Sequence, residues 1–590
     1  MLKDNNIACK ANKFSGIFRQ VFIALQKKHI FMLLQKKFDY YPYLLSGIAA
    51  FLFLPFLGNV HLFDWDEINF AESAREMLLT GNYRRVQIDF QPFWEKPPLF
   101  FWLQTLSMQA FGINEYAARF PNAIFGILTI LLLFFIGKKH YSINLGVLWA
   151  MCYMGSILPH FYFKSGIIDP VFNFFIFGGI YFLARTIYAL SQKNSVSLKY
   201  AALAGLAVGL AILTKGPVGL LVPLLCFLVF AILKKGKQVI SFVTLSIFSV
   251  CAGLVSLAWF GLDIWENGIW FLGEFIQYQI ELFTQPVAGH DQPFHYHFVV
   301  VFFGCFPISI IALPNLVKRK FQNTSLTDFP LLTWMQIMFW VVMILFSLST
   351  TKIVHYSSLS YYPLTFLAAY QLSELIENKG FMKKWQLILL LIIGLIVGLI
   401  FVLIPFVGMN TALISPYIND KFAVANLKAQ VAWQYYDYAL GIVYAVLVLV
   451  AYRLLSQQKN RLAVNTLLYG TALFLFVAMY QIVPKIERYT QGGIIDFYKT
   501  LVNQDVYIHT MAYKSYAHYF YPKIQPAQSP QHKGKERDEN WLLNGKVGKP
   551  VYIVLKIIAT NEIALLRQRQ DMKELFEING FVVFKREVMP

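Results

Sequence analysis

Apolar runs about twenty residues long, separated by short polar connections, fill the chain from about residue 43 to about residue 483. A membrane-crossing helix needs about 20 mostly apolar residues. By that measure the pattern predicts about thirteen spans, near 43–60, 117–137, 143–162, 168–190, 198–214, 217–233, 238–260, 296–317, 330–349, 353–374, 385–407, 435–455 and 462–483. One further run, 97–112, opens on Pro97-Pro98 and carries Gln104 and Gln109, so apolarity alone leaves it undecided. Beyond about residue 484 the apolar runs shorten to strand length, as in Val506-Tyr507-Ile508-His509 and Val551-Tyr552-Ile553-Val554. Residues 561–578 read as an amphipathic helix and 581–584 as a strand. The reading is an α-helical polytopic membrane protein with a small α/β domain over 484–590, in which a polar stretch near 525–545 is expected to be mobile. No repeat of fixed period is visible.

Charge settles the undecided run. Only 14% of the 590 residues are charged and 57% are hydrophobic, so lipid must solvate much of the chain. The formal net charge of +19 is not gathered into one domain, which argues against a nucleic-acid surface. It recurs between the apolar runs. With the basic tail 1–42 in the cytoplasm and 97–112 lying flat at the interface, six basic connections fall on the cytoplasmic side: Lys138-Lys139, Lys193/Lys199, Lys234-Lys235-Lys237, Lys318-Arg319-Lys320, Lys379/Lys383-Lys384 and Arg453/Lys459/Arg461. If 97–112 crossed, all six would face outward, against the positive-inside rule. The interfacial choice makes 43–483 the transmembrane domain. It leaves outer loops at 61–116, 261–295 and 408–434 and puts the C-terminal domain outside. The five cysteines show no disulfide or zinc spacing, and the N-terminal 40 residues lack the apolar core and cleavage site of a signal peptide.

Candidate chemistry gathers on the outer side. The first loop reads Asp64-Trp65-Asp66-Glu67-Ile68-Asn69-Phe70-Ala71-Glu72-Ser73-Ala74-Arg75-Glu76, a helical stretch that carries five carboxylates beside a membrane. It is either a solvated surface helix or an acidic site at headgroup level. The same loop continues Phe93-Trp94-Glu95-Lys96-Pro97-Pro98, where Lys96 could hold a lipid phosphate or could merely snorkel to the headgroups. Asp169-Pro170, Thr214-Lys215-Gly216-Pro217 and Thr351-Lys352 with His355 and Tyr356 mark further outer turns. Asp169 is either a functional carboxylate or an ordinary helix start. Lys96, Lys215 and Lys352 on one outer face would suit a phosphate or pyrophosphate group.

These motifs, in this order, resemble a known family. Asp66-Glu67 with Phe70-Ala71-Glu72 and Arg75-Glu76-Met77, then Phe93-Trp94-Glu95-Lys96-Pro97-Pro98, Phe111-Gly112-Ile113-Asn114-Glu115 and Ala118-Arg119-Phe120-Pro121, look like the first outer loop of polyprenyl-phosphate-sugar-dependent glycosyltransferases of the GT-C fold. That group includes the aminoarabinose lipid A transferases and the protein O-mannosyltransferases. Leu213-Thr214-Lys215-Gly216-Pro217 resembles a second motif of the family, and Lys352 to Tyr356 a third, more loosely. The resemblance covers most of residues 43–375 and implies an inverting transfer of a sugar from a polyprenyl (undecaprenyl) phosphate, at the outer face of a bacterial inner membrane. The acceptor would be a glycolipid, a glycan or a protein. By motif position Asp66 would be the base, Glu67 a neighbouring charge partner and Asp169 a second catalytic carboxylate. Glu95, Lys96, Lys215, Lys352, Tyr356 and Arg75 would bind substrate. The lipid A transferases lead one to expect a metal-binding histidine in the second outer loop. Here Gln279 takes that register, with His290, His295 and His297 close behind. A divalent metal between Glu95 and His290 is therefore the weakest expectation, and the departure also unsettles the aminoarabinose–lipid A pairing.

Two non-enzymatic readings compete. A flippase of lipid-linked glycans would also want outer lysines, but its ionisable groups should sit at mid-membrane in repeated halves. A membrane-anchored scaffold would leave the order of loop motifs unexplained.

Overall fold

The structure is a computed structural model that describes residues 40–235, 240–285, 292–317, 329–378, 380–531 and 538–587. The expected cytoplasmic tail, Lys237, the Lys318-Arg319-Lys320 connection, Lys379 and His290 lie outside the described residues.

Within the described residues each of the thirteen long apolar runs is largely helical. Among the described residues eight helices are long and apolar enough to cross a membrane: Glu115–His140, Asp169–Ser191, Ser197–Lys215, Phe242–Asn267, Leu331–Leu348, Lys384–Met409, Tyr435–Ser456 and Asn460–Gln481. Tyr41–Phe53, Ile143–Met154 and Val218–Leu233 are apolar but shorter. The 296–317 run is broken into Tyr296–Gly304 and Ile308–Val317, and the 353–374 run begins as a 3-10 turn, Val354–Ser360, before Tyr361–Glu377. The outward faces are apolar too. Ile388, Ile392, Leu399 and Leu403 are exposed along Lys384–Met409, as expected where lipid replaces water. The helix Leu99–Phe111 has 13 residues, about 20 Å at 1.5 Å per residue, and is too short to cross alone.

Small residues bring the helices together. Asp169–Ser191 packs on Ser197–Lys215, which packs in turn on Phe242–Asn267. A Cβ on Gly205 would lie 2.3 Å from the Phe248 carbonyl oxygen, so this crossing requires glycine.

The segments expected on the outer side are more ordered than loops. The expected second loop, 261–295, is largely helical: Phe242–Asn267 runs past residue 261, Gly268 turns the chain at φ 87°, and Trp270–Thr284 forms a separate helix. In the first loop, Asp66–Thr80 is followed by a two-residue hairpin, β1 (Gln87–Ile88) and β2 (Gln91–Pro92). The C-terminal residues build one four-stranded sheet from β3 (Tyr507–Thr510), β4 (Val551–Lys556), β5 (Met572–Ile578) and β6 (Phe581–Arg586). Their order is β3-β4-β6-β5, with β3 and β4 parallel and the other pairs antiparallel.

The amphipathic helix expected over 561–578 needs correction. Helix covers only Thr560–Arg567, and Met572–Ile578 is the edge strand β5. Arg569 closes the intervening turn on Asp571 through two hydrogen bonds, and Asn579-Gly580, both at positive φ, returns the chain into β6. In the polar stretch, residues 532–537 lie outside the description and Glu539–Asn544 is helical.

The C-terminal sheet and the first outer loop share a core. Leu62, Ile68, Ala71 and Ala74 of the loop pack with Ile494, Tyr498, Phe520, Val554 and Phe581.

Candidate active site

The helix Asp66–Thr80 begins abruptly. Trp65 precedes it at φ 93°, ψ −99°, a conformation that L-residues avoid unless their surroundings hold them in it. Several bonds do so here. Asp64 Oδ1 accepts from the backbone N–H of Trp65 at 3.0 Å and of Tyr516 at 3.5 Å, Asp64 N–H donates to Gln491, and Leu62 N–H donates to the Tyr521 hydroxyl at 2.7 Å. Three of those partners come from the C-terminal segment. Asp66 and Glu67 then occupy the first helical turn, where exposed N–H groups favour carboxylates.

One residue of helix is 100° of rotation, and it separates the fates of these two acids. Glu67 is 2% exposed. Arg119 donates to both its oxygens, at 3.0 and 2.7 Å, Phe63 N–H donates at 2.8 Å, and Gly166 N–H donates as well. Arg119 also binds the carbonyls of Leu57, Val60 and His61. Glu67 is thus a structural tie between its own loop, the helix Glu115–His140 and the turn at Gly166, and, against the expectation that it works inside the site, it stays out of the walls of both cavities. The same holds for Arg75, which is buried and donates twice to Glu72, at 2.7 and 2.6 Å. Beside it, burial and then the charge of Glu72 push the Glu76 carboxyl up to about 9.

Asp66 points the other way, into a polar cavity holding about 770 Å³ of space between atoms, part of it open to solvent. Its side chain is 29% exposed, and Oδ2 lies 3.4 Å from His355 Nε2. The same nitrogen is 3.6 Å from Asp169 Oδ2, so one imidazole faces both carboxylates. Asp169 Oδ2 is buried with no hydrogen-bond partner among the described residues, whereas Oδ1 accepts from Lys215 Nζ at 2.6 Å. Glu95 accepts from the Tyr278 hydroxyl at 2.8 Å, and Lys96 stands over the Tyr278 ring at 5.2 Å.

Local chain geometry places these groups. Pro170, in the first turn, starts the helix that Asp169 opens. Lys215 ends its helix because Gly216 follows at φ 98°, ψ −155°, a region open only to glycine, and a Cβ there would lie 2.7 Å from the Phe275 ring.

A second cavity, about 790 Å³ of similarly measured space, adjoins the first. Its wall is apolar: Phe172, Ile176, Val218, Val222, Phe283 and Phe346. Lys96, Asp169, Lys215 and Tyr356 line both cavities and so form the neck between them. Desolvation lowers the Lys96 pKa below the usual lysine value and Lys215 lowers it further, while Glu95, Asp66 and Asp169 pull it back up. An anion seated at the neck would face both ammonium groups.

The structure therefore gathers Asp66, Asp169, Glu95, Lys96, Lys215 and Tyr356 around one space, and leaves Glu67, Arg75 and Lys352 out of the wall of either cavity. It adds Trp65, Asn69, Tyr278, His355, Lys514 and Tyr516. His355 could have been weighed from its place beside Tyr356. Lys514 and Tyr516 carry no sequence signal that links them to a loop some 450 residues earlier. Among the described residues no group of three or more His, Cys, Asp or Glu could hold a metal ion. Glu95 accepts from Tyr278, Gln279 lines the apolar cavity and His297 is buried.

Known proteins are similar to this chain in sequence and in fold. The dolichyl-phosphate-mannose-protein mannosyltransferase family matches residues 95–259. An uncharacterized protein of Aquifex aeolicus is 27% identical over 357 residues, 59% of this chain and 78% of its own length. The undecaprenyl phosphate-alpha-4-amino-4-deoxy-L-arabinose arabinosyl transferase of Enterobacter sp. is 27% identical over 353 residues, but the shared stretch spans only 62% of that protein. The crystal structure of ArnT from Cupriavidus metallidurans bound to undecaprenyl phosphate superposes with a TM-score of 0.74 at 18% identity, covering 92% of this chain and 98% of that one. At that identity the superposition shows the fold. The chain is a multi-pass membrane protein of the GT-C glycosyltransferase fold. In sequence it is similar to undecaprenyl phosphate-dependent arabinosyl transferases and, over residues 95–259, to the mannosyltransferase family.

Proposed function

We propose that this protein moves a sugar from a polyprenyl phosphate to an acceptor at the outer face of a bacterial inner membrane, with inversion at the anomeric carbon. The observation that carries the reading is the neck. Lys96 and Lys215 line a polar, carboxylate-bearing cavity and an apolar cavity at once. A polyprenyl-phosphate sugar has the same division: an isoprenoid chain for the apolar side, a phosphate for the two lysines and a sugar for the polar side. The relatives named as undecaprenyl phosphate-dependent transferases support that donor class.

The residues then divide the work. Asp66 takes the proton from the acceptor hydroxyl as its oxygen forms a bond to the anomeric carbon. The bond from that carbon to the phosphate oxygen breaks on the opposite face, and the electron pair leaves with the polyprenyl phosphate. Lys96 and Lys215 stabilise the charge that develops there. Asp169 holds Lys215 in place and offers its unpartnered Oδ2 to a sugar hydroxyl. His355 steadies both carboxylates. Burial of the substrate beneath the Trp270–Thr284 helix would exclude competing water.

The test is reconstitution of the full chain in liposomes with undecaprenyl phosphates carrying labelled sugars, together with envelope glycolipid, glycan and protein fractions. Release of undecaprenyl phosphate and a product of opposite anomeric configuration are expected. A product of retained configuration would rule out single displacement with Asp66 as base. Passage of intact donor across the bilayer without release would favour the flippase.

A further inference from the structure

The helices that bring Asp169 and Lys215 to the polar cavity carry a second group of cations at their far ends. Arg185 stands on Asp169–Ser191 about 24 Å beyond Asp169, at 1.5 Å per residue, and Tyr200 lies in the first turn of Ser197–Lys215. The helix Glu115–His140 ends beside them on Lys138-Lys139-His140. Lys138-Lys139 is one of the basic connections that the charge pattern of the sequence assigns to the cytoplasmic side.

Arg185 is held in this corner by aromatic and neutral groups. Its guanidinium donates to the Tyr200 hydroxyl at 2.9 Å and comes within 3.5 Å of His140 Nε2, which lies 3.0 Å from the Tyr181 hydroxyl. It stands 4.8 Å from the Tyr200 ring centroid and 5.4 Å from that of Phe329. Nε of Arg185 is buried with no hydrogen-bond partner among the described residues. Lys139 is exposed, with Nζ 6.0 Å from the same Tyr200 ring. Among the described residues neither Arg185 nor Lys139 enters an ion pair.

A cation near the end of a membrane-crossing helix is costly unless something pairs with it. A phosphate suits this one. The planar fork of a guanidinium matches phosphate oxygens, and rings packed on its faces hold it ready. The surroundings point to a lipid as the source of that phosphate. Lipid phosphates lie at the depth where such helices end. Leu128 and Phe135 are exposed on the same face of Glu115–His140 as Lys139, so an apolar stripe leads along the helix to the cation. An acyl chain would cover that stripe, whereas a soluble phosphate would leave it bare. Basic pockets between membrane helices are general binding places for anionic head groups.

We infer that Arg185, Lys139 and Tyr200 form a binding site for the phosphate of an anionic phospholipid, in the leaflet opposite the candidate active site. The bound head group joins the ends of three helices, two of which carry Asp169 and Lys215 at their other ends.

Lipid titration of the full chain in detergent micelles decides it. Phosphatidylglycerol, phosphatidylcholine and inorganic phosphate are compared, with binding counted by native mass spectrometry and stability followed by thermal unfolding. Phosphatidylglycerol should bind about tenfold or more tightly than phosphatidylcholine and raise the unfolding temperature. Inorganic phosphate at the same concentration should leave that temperature unchanged. Arg185→Gln combined with Lys139→Gln should erase the preference, and Arg185→Lys should keep part of it. Lys139→Gln alone, at an exposed position that folding does not depend on, should reduce it. Lys383→Gln combined with Lys384→Gln, at another basic connection, should leave it intact. Equal affinity for the two lipids would overturn the inference. So would a preference that survives Arg185→Gln with Lys139→Gln, which would place the lipid elsewhere. An equal loss in the Lys383 and Lys384 variant would overturn it too, as diffuse attraction to the whole basic side. Equal protection by inorganic phosphate would overturn the lipid assignment in favour of a soluble anion.

Discussion

Asp66 and Glu67 are adjacent acids, yet the structure gives them opposite consequences when neutralised. Glu67→Gln keeps the shape of the side chain but removes its charge. The buried Arg119 guanidinium then loses its counter-ion, and an amide must face donors from Phe63, Arg119 and Gly166 with only one acceptor oxygen. Removing one partner of a buried ion pair costs about 3–5 kcal/mol. That is about two to four orders of magnitude in the folding equilibrium and a large part of the ~5–15 kcal/mol that holds an ordinary domain together. Asp66→Asn touches a partly exposed group whose contact is His355 at 3.4 Å. Its cost in stability should be below about 1 kcal/mol, as for other exposed ionic contacts. Loss of a general base should lower transfer about 10²–10⁴-fold. Both variants can be followed by thermal unfolding on size-exclusion chromatography and by sugar release from a polyprenyl phosphate. The expected pattern is a sharply destabilised Glu67→Gln and a stable, inactive Asp66→Asn. A stable but inactive Glu67→Gln beside an active Asp66→Asn would reverse the assignment of the base.

Three more outcomes rest on the geometry. Lys96→Ala should weaken undecaprenyl phosphate binding about 10–100-fold, the loss of one charged hydrogen bond of ~1.5–3 kcal/mol, and an unchanged affinity in direct titration would remove it from the phosphate site. Gly216→Ala places a side chain in a glycine-only conformation 2.7 Å from Phe275, so a loss of about 1–3 kcal/mol together with weaker donor binding through Lys215 is expected; full stability would show that the turn is not constrained. Burial pushes the Asp89 carboxyl up to about 6, against hydrogen bonds from Ser529 and Tyr519 that lower it. A raised carboxyl pKa means that the folded state binds the proton more tightly, so this contribution is present below the ordinary value of 3.8 and is lost as pH rises from there through about 6. Asp89→Asn should therefore flatten unfolding stability between about pH 4 and 6 and raise it at about pH 7.5 by about 2–3 kcal/mol, and a wild-type slope retained in the variant would place the titration elsewhere.

What the sequence could show was where chemistry falls along the chain. Asp66, Lys96, Asp169, Lys215 and Tyr356 all lie at or near helix ends that the charge of the connections assigns to one side. Residues at the same end of packed helices have little choice but to meet. What it could not show was rotation. Glu67 carries the same charge as Asp66, one position away, and only the position of Arg119 decides which of them faces inward. Arg75 leaves the site for the same reason, because Glu72 lies three residues away on the same helix face and takes its guanidinium. The run 572–578 reads as helix because its apolar residues at 572, 575, 576 and 578 suit a helical face as well as an edge strand.

Lys514 and Tyr516 were invisible for another reason: their part depends on a domain contact, and no local pattern encodes one. Yet the contact explains how a strained start to the Asp66 helix can persist. A residue at φ 93° costs about 1–3 kcal/mol and survives only where its surroundings over-determine it. Here the bonds from Gln491, Tyr516 and Tyr521 fix the chain just before Trp65, and the core shared by Leu62, Ile68 and Phe520 fixes the helix just after it. The direction of the Asp66 carboxylate is therefore set by residues more than 400 positions away in the sequence. A sheet domain that only capped the membrane bundle would have no need of those bonds. One that aims the Asp66 carboxylate would need all of them, and at the cavity wall Tyr516 fixes Asp64 from behind while Lys514 lines the polar space in front.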